Sequence, residues 1–176
     1  DGPMYGLAGF FAHYYPNHLM LKAEGSGAGG SVDYKGSGTL SGISDYVFEG
    51  RLTAGYDAPL AGTRLLAPLF LGIGYRYLND DTSGKRSSTG AAGYDRESNY
   101  FYSPVGVAYD TALRGGWRIG LSAEYDVFWK GIQKSHLEDA DPSFNTRSND
   151  QNHGYGARGS VKFQKAGKLM DWTIGP

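Results

Sequence analysis

Apolar residues recur at every second position over long stretches of the chain, the period of a β-strand with two unlike faces. Between Asp45 and Asp57, one face carries Tyr46, Phe48, Gly50, Leu52, Ala54 and Tyr56. The other carries Asp45, Val47, Glu49, Arg51, Thr53, Gly55 and Asp57. Between Trp117 and Lys130, the apolar face is Trp117, Ile119, Leu121, Ala123, Tyr125, Val127 and Trp129. Against it stand Arg118, Gly120, Ser122, Glu124, Asp126, Phe128 and Lys130. Tyr155, Ala157, Gly159, Val161 and Phe163 alternate in the same way with Gly156, Arg158, Ser160 and Lys162. The pattern predicts eight strands: Met4–Tyr15, His18–Ser31, Asp45–Asp57, Thr63–Leu78, Ser98–Thr111, Trp117–Gln133, Gly154–Gln164 and Leu169 to the end. No segment carries helical periodicity over several turns.

Aromatics sit at the ends of the longest apolar faces, Tyr46 and Tyr56 on one and Trp117 and Trp129 on another. A strand of about 9–11 residues, apolar in the middle and aromatic at both ends, matches what a lipid-facing barrel strand needs. A soluble antiparallel sheet with one wet face shows the same alternation. Three features favour lipid: the polar face mixes both charge signs with Gly and Ser, the aromatics lie at strand ends, and no helix is available to cover a sheet. The fold class expected is all-β, an antiparallel up-and-down transmembrane β-barrel, with Tyr46, Tyr56, Trp117 and Trp129 as its aromatic girdle.

Connector lengths add an expectation about topology. The short connectors are Pro16-Asn17, Ala58 to Gly62, Ala112 to Gly116 and Lys165 to Lys168. The long polar ones are Val32 to Ser44, Asn79 to Glu97 and Lys134 to His153. In bacterial barrels short turns face the periplasm and long loops the exterior. With eight strands, both ends of the chain would then lie outside the cell, the reverse of the usual arrangement. One further strand on each side repairs this. The expectation is a single outer-membrane barrel domain over residues 1–176, with eight strands here and ten in the complete protein.

Composition narrows the classes. The chain has 176 residues and a net charge of -1, room for one domain and no basic excess for nucleic acid. Without Cys, disulfides, thiol catalysis, iron–sulfur clusters and cysteine zinc sites drop out together. The most apolar uncharged run, Leu65 to Tyr75, is 11 residues, too short for a membrane helix. Asp1 opens directly into strand-like sequence, with no basic start and apolar stretch of a signal peptide.

Four blocks carry a family resemblance: Val32-Asp33-Tyr34-Lys35-Gly36-Ser37-Gly38-Thr39, the run Gly72 to Asp81 (Gly-Ile-Gly-Tyr-Arg-Tyr-Leu-Asn-Asp-Asp), the run Tyr94 to Pro104, and Gly154 to Ser160. They resemble an uncharacterised family of porin-like outer-membrane β-barrel proteins of Gram-negative bacteria, over nearly the whole chain. The resemblance implies a further strand before Asp1 and, beyond Pro176, an aromatic-rich strand and a final one ending in Phe. It implies almost nothing about function. The expected location is the bacterial outer membrane, and the expected partners are outer-membrane lipid and lipopolysaccharide.

With the apolar faces toward lipid, the lumen receives Lys22, Glu24, Glu49, Arg51, Arg76, Arg118, Glu124, Asp126, Lys130, Arg158 and Lys162. Charges of both signs can pair across the interior, which makes them tolerable away from bulk water. A salt-bridged, largely closed interior is the first reading; a narrow polar channel for ions or small solutes is the second. Gly72, Gly74, Gly106, Gly120 and Gly156 on the same parity suit both.

No catalytic, cofactor-binding or metal residues are assigned. The Gly-rich run Glu24 to Ser31 lacks the Gly-Lys-Ser/Thr ending and following helix of a phosphate loop. Glu138, Asp139, Asp141, Asn145 and Asp150 offer oxygens for Ca²⁺ without EF-hand spacing. The omptin proteases also have ten strands, with acidic residues and His at the outer rim. Here His136 and His153 flank the last long loop, but the omptin Asp-x-His element is absent; a lipid-A-acting hydrolase would want Ser near His as nucleophile and base, and Ser135 and His136 alternate apart as neighbours in a strand. A rim hydrolase would need His136 or His153 within about 3 Å of an Asp. A soluble barrel binding an apolar ligand would need Tyr46, Phe48, Leu121 and Trp129 to face inward. His13 and His18 flank the first turn as interfacial residues.

Overall fold

The structure, a computed structural model, describes residues 2–36, 38–56, 69–165 and 172–174. It is an antiparallel up-and-down sheet. The strands are β1 (Met4–Tyr14), β2 (Leu19–Lys35), β3 (Thr39–Tyr56), β4 (Leu69–Asp81), β5 (Asp95–Ala112), β6 (Trp117–Ser135), β7 (Arg147–Gln151), β8 (Tyr155–Lys165) and β9 (Trp172–Ile174). They lie in the order β1-β2-β3-β4-β5-β6-β8-β9, with the short β7 also paired to β6. Among the described residues β1 and β9 are not paired to each other, so the sheet is not closed. The connectors expected at Ala58 to Gly62 and Lys165 to Lys168 lie wholly or mostly outside the described residues.

The strands run beyond the lipid-type alternation. The expected loop Val32 to Ser44 is instead a tight hairpin, with Lys35 opposite Thr39. The alternation fades there because both faces of the hairpin tip are polar, while the backbone ladder needs no apolar residues. The β4–β5 loop packs back on this tip: Ser88 N–H donates to the Thr39 carbonyl at 2.9 Å, and Ser88 Oγ accepts from Thr39 N–H at 2.9 Å. Inside the expected loop Lys134 to His153 lie a short 3₁₀ turn at Leu137–Asp139 and strand β7.

Two irregularities interrupt the ladder. Pairing between β4 and β5 passes from Leu71↔Val105 to Gly74↔Tyr102, skipping Pro104, which has no N–H to donate. On the other side of β5, a β-bulge puts two residues of β6 against one: Phe128 pairs Tyr102, Lys130 pairs Phe101, and Trp129 is the extra residue. The bulge shifts the parity of everything in β6 that follows it.

Burial is inverted relative to a soluble sheet. Among the described residues the buried hydrophobics are Met20, Ile43 and Tyr102, with Pro104 fully enclosed. Large apolar side chains on the opposite face stand in the open, Leu7 at 88% and Leu52 at 57% exposed. Asp126 is 6% exposed. The polar face is the enclosed one because the sheet curls around it.

Candidate functional site

The concave face is built by strand register. Residues directly opposite in a ladder share a face, so Glu24, Arg51, Gly74, Tyr102 and Phe128 form one inward row across β2 to β6. The next inward row toward the long-loop end puts Glu49 opposite Arg76. On β8, Arg158 enters opposite Glu124.

These rows meet in one charge network. Lys22 Nζ lies 2.6 Å from Glu24, which also holds Arg51 at 2.7 Å. Arg51 reaches Glu124 on β6 at 2.6 Å, and Glu124 lies 3.3 Å from Arg158. Arg158 donates to Asp126 at 2.9 Å and to Glu49 at 2.6 Å. Glu49 takes Arg76 at 2.7 Å and accepts from the Tyr102 hydroxyl. Four cations (Lys22, Arg51, Arg76, Arg158) therefore balance four carboxylates (Glu24, Glu49, Glu124, Asp126). Charges removed from water are tolerable when each has an opposite partner and hydrogen bonds, as here.

Of the other residues expected in the lumen, Arg118 lies inward but stands apart, pairing Asp110 at 2.6 Å. Lys162 borders a cavity of about 1080 Å³ between β1 to β3 and β8, together with Lys22, Arg51 and Arg158. Lys130 departs from the alternation. The bulge turns it onto the face of Phe101, where it meets Asp150 of β7 at 3.2 Å. Tyr102 and Asp110 belong to the concave face as well, placed there by the parity of β5.

Tyr46, Tyr56, Trp117 and Trp129 are all exposed on the convex side. Tyr56 and Trp117 lie near the short-turn end of the sheet, Tyr46 and Trp129 toward the long-loop end. Phe48 and Leu121 are exposed there too, the opposite of what an internal apolar ligand site needs.

A second cluster sits at the long-loop rim. His136, just after β6, directs Nε2 toward Glu97 Oε1 at 3.5 Å and Nδ1 toward Glu138 Oε1 at 3.3 Å. Thr146 Oγ1 donates to Glu138, so its proton goes to the carboxylate. Ser135 pairs Arg96 on the concave parity, away from His136. Asp95 receives Asn79 Nδ2 at 2.6 Å, and its N–H donates to Asp139 at 3.0 Å. Burial works against a charge on His136, but the Glu138 hydrogen bond and the Glu97 and Asp95 charges outweigh it, so His136 titrates above its ordinary value. Glu138 titrates below its own, held chiefly by the Thr146 hydroxyl. His153 borders a cavity of about 240 Å³ with Arg76, Tyr102 and Asp126.

No family model, curated protein or solved structure matches this chain.

Proposed function

We propose that this chain forms most of the wall of an outer-membrane β-barrel whose lumen is largely filled by its own ion pairs. Its role in this reading is structural or surface-exposed, with conduction limited to a narrow polar path. The observation that carries the reading is the inverted burial. Leu52, Leu71, Ile73, Leu121 and Val161 are open to the surroundings, while Glu49, Arg51, Glu124 and Asp126 are enclosed and mutually paired. In water such a sheet would expose a continuous apolar surface far larger than soluble proteins carry. In a bilayer, the same surface is solvated by acyl chains, and the paired face is shielded from them.

The curl supports closure in that setting. Among the described residues, β1 offers an unpaired edge of eleven residues, from Met4 to Tyr14, with no Asp, Glu, Lys or Arg to deter another strand. Lipid tolerates no unpaired backbone, so further strands bridging β1 and β9 complete the wall in this reading.

Spin labels placed singly from Trp117 to Val127, in lipid vesicles, test the proposal. Odd positions accessible to oxygen in the acyl region and even positions shielded from it support the barrel. Even positions open to bulk reagents, with odd ones enclosed in protein, overturn it. Planar-bilayer conductance of the same protein then separates a plugged interior from an open one.

A further inference from the structure

We propose that Asp95, Glu97 and His136 form a binding site for a divalent transition-series cation, zinc being the best match, at the long-loop rim of the sheet. The inference stands on the rim residues alone and does not need the sheet to close.

The donor set is mixed and convergent. One ligand atom from each of the three residues lies within 4.8 Å of the other two, a spread that a single ion can gather with small side-chain movements. Two neighbouring strands supply them: Asp95 and Glu97 share one face at the start of β5, and His136 continues from the end of β6, with its N–H held by the Asp95 carbonyl at 2.9 Å. The imidazole is already oriented as a metal ligand would be. Its Nδ1 is engaged by the Glu138 carboxylate, which Thr146 and a short turn hold in place, and this leaves Nε2 facing Glu97. A carboxylate behind one ring nitrogen, fixing the tautomer and strengthening the other as a donor, is the usual second layer of a histidine metal site.

Two observations favour a cation there. His136 Nε2 is enclosed and makes no hydrogen bond, its nearest partner being Glu97 Oε1 at an ion-pair distance of 3.5 Å. Enclosed polar atoms without partners are rare, and an ion is one of the few things that satisfies them. Asp81 also stands directly opposite Asp95 across the β4–β5 ladder, a like-charge pairing that destabilises a sheet unless a cation relieves it. A nitrogen donor beside two carboxylates suits zinc or another transition ion better than calcium, which takes oxygens alone.

The site would tie the loop after β6 to the start of β5. The test uses the folded full chain, titrated by calorimetry with Zn²⁺ alone and with Ca²⁺ alone. Trypsin cleavage at Arg147 is followed in parallel. The proposal expects one equivalent of Zn²⁺ per chain, preference over Ca²⁺, and several-fold slower cleavage at Arg147 when Zn²⁺ is present. His136→Gln and Glu97→Gln should each abolish this binding, and Thr146→Val, which disturbs only the layer behind the imidazole, should weaken it about 10-fold. Circular dichroism confirms that each variant keeps its sheet. No Zn²⁺ uptake by the unaltered chain overturns the proposal, as does binding that survives in folded His136→Gln, or equal affinity for both ions.

Discussion

Arg158 on β8 lies 2.6 Å from Glu49 on β3, although β4, β5 and β6 stand between their strands in the sheet. Neighbouring strands are about 4.8 Å apart, so a flat sheet would separate these backbones by roughly 19 Å, beyond the reach of the two side chains. The contact is therefore a measure of curl. It also explains why the network is continuous: only on a strongly concave surface can Arg51 of β3 touch Glu124 of β6 as well.

Glu49 gathers three donors in the network, with Arg76, Arg158 and the Tyr102 hydroxyl all directed at it. Glu49→Gln should leave two guanidinium groups short of a counter-charge and destabilise the fold by about 3 kcal/mol, near the lower end for breaking an enclosed pair. Urea unfolding of the chain in lipid vesicles measures this. A change no larger than that of the more exposed Arg118→Gln would show that the network is not holding the curl.

Leu121 sits mid-strand on the convex face. Leu121→Arg should cost about 2–4 kcal/mol in vesicles if that face meets lipid at its midplane. The same substitution in a protein whose convex face meets water would be close to neutral, so vesicle folding titrations of this single variant discriminate.

The bulge makes a prediction that simple alternation does not. A spin label at position 130 should report the same environment as one at position 101, and the opposite of one at position 128. Accessibility at 130 matching that at 128 would mean the bulge is absent in solution.

Gly74 makes room for Tyr102, since a Cβ at that position would clash with the hydroxyl end of the tyrosine ring. Gly74→Ala should push the Tyr102 hydroxyl off Glu49 and destabilise the sheet by roughly 1–3 kcal/mol through overpacking. Gly50→Ala, where a Cβ meets nothing within 4 Å, is the matched control. Thermal unfolding of the two variants side by side gives the comparison.

In the loop after β6, Asp141 Oδ1 accepts the Ser143 N–H at 2.9 Å, which holds its carboxyl below the ordinary value of 3.8. A carboxylate lowered by folding contributes stability above its unfolded value and loses it as pH falls through the lower folded one. The Ser143 amide resonance should therefore shift with a midpoint below 3.8. A midpoint at or above that value would mean the turn is not formed in solution.

The eight strands of the main path and the membership of the two faces were legible in the residues themselves. A period of two is a local property, set by successive side chains pointing to opposite sides of an extended backbone. For that reason Glu49, Arg51, Glu124, Asp126 and Arg158 could be assigned together to one face before any pairing was known. Where the alternation weakens, as in the polar hairpin around Lys35 and Thr39 or the five residues of β7, the ladder forms on backbone hydrogen bonds alone, and sequence carries little trace of it.

Tertiary structure decided what local periodicity has no means to encode. That Arg158 meets Glu49 as well as the neighbouring strand's Asp126 depends on register and curl summed over five strands. Lys130 changed face because one extra residue, Trp129, entered the ladder opposite Phe101. His136 met Glu97 and Asp95 only because β5 and β6 are neighbours. The chain fixed which residues are alike; the sheet fixed which of them touch, because contact is a property of strands far apart in sequence brought around a common axis.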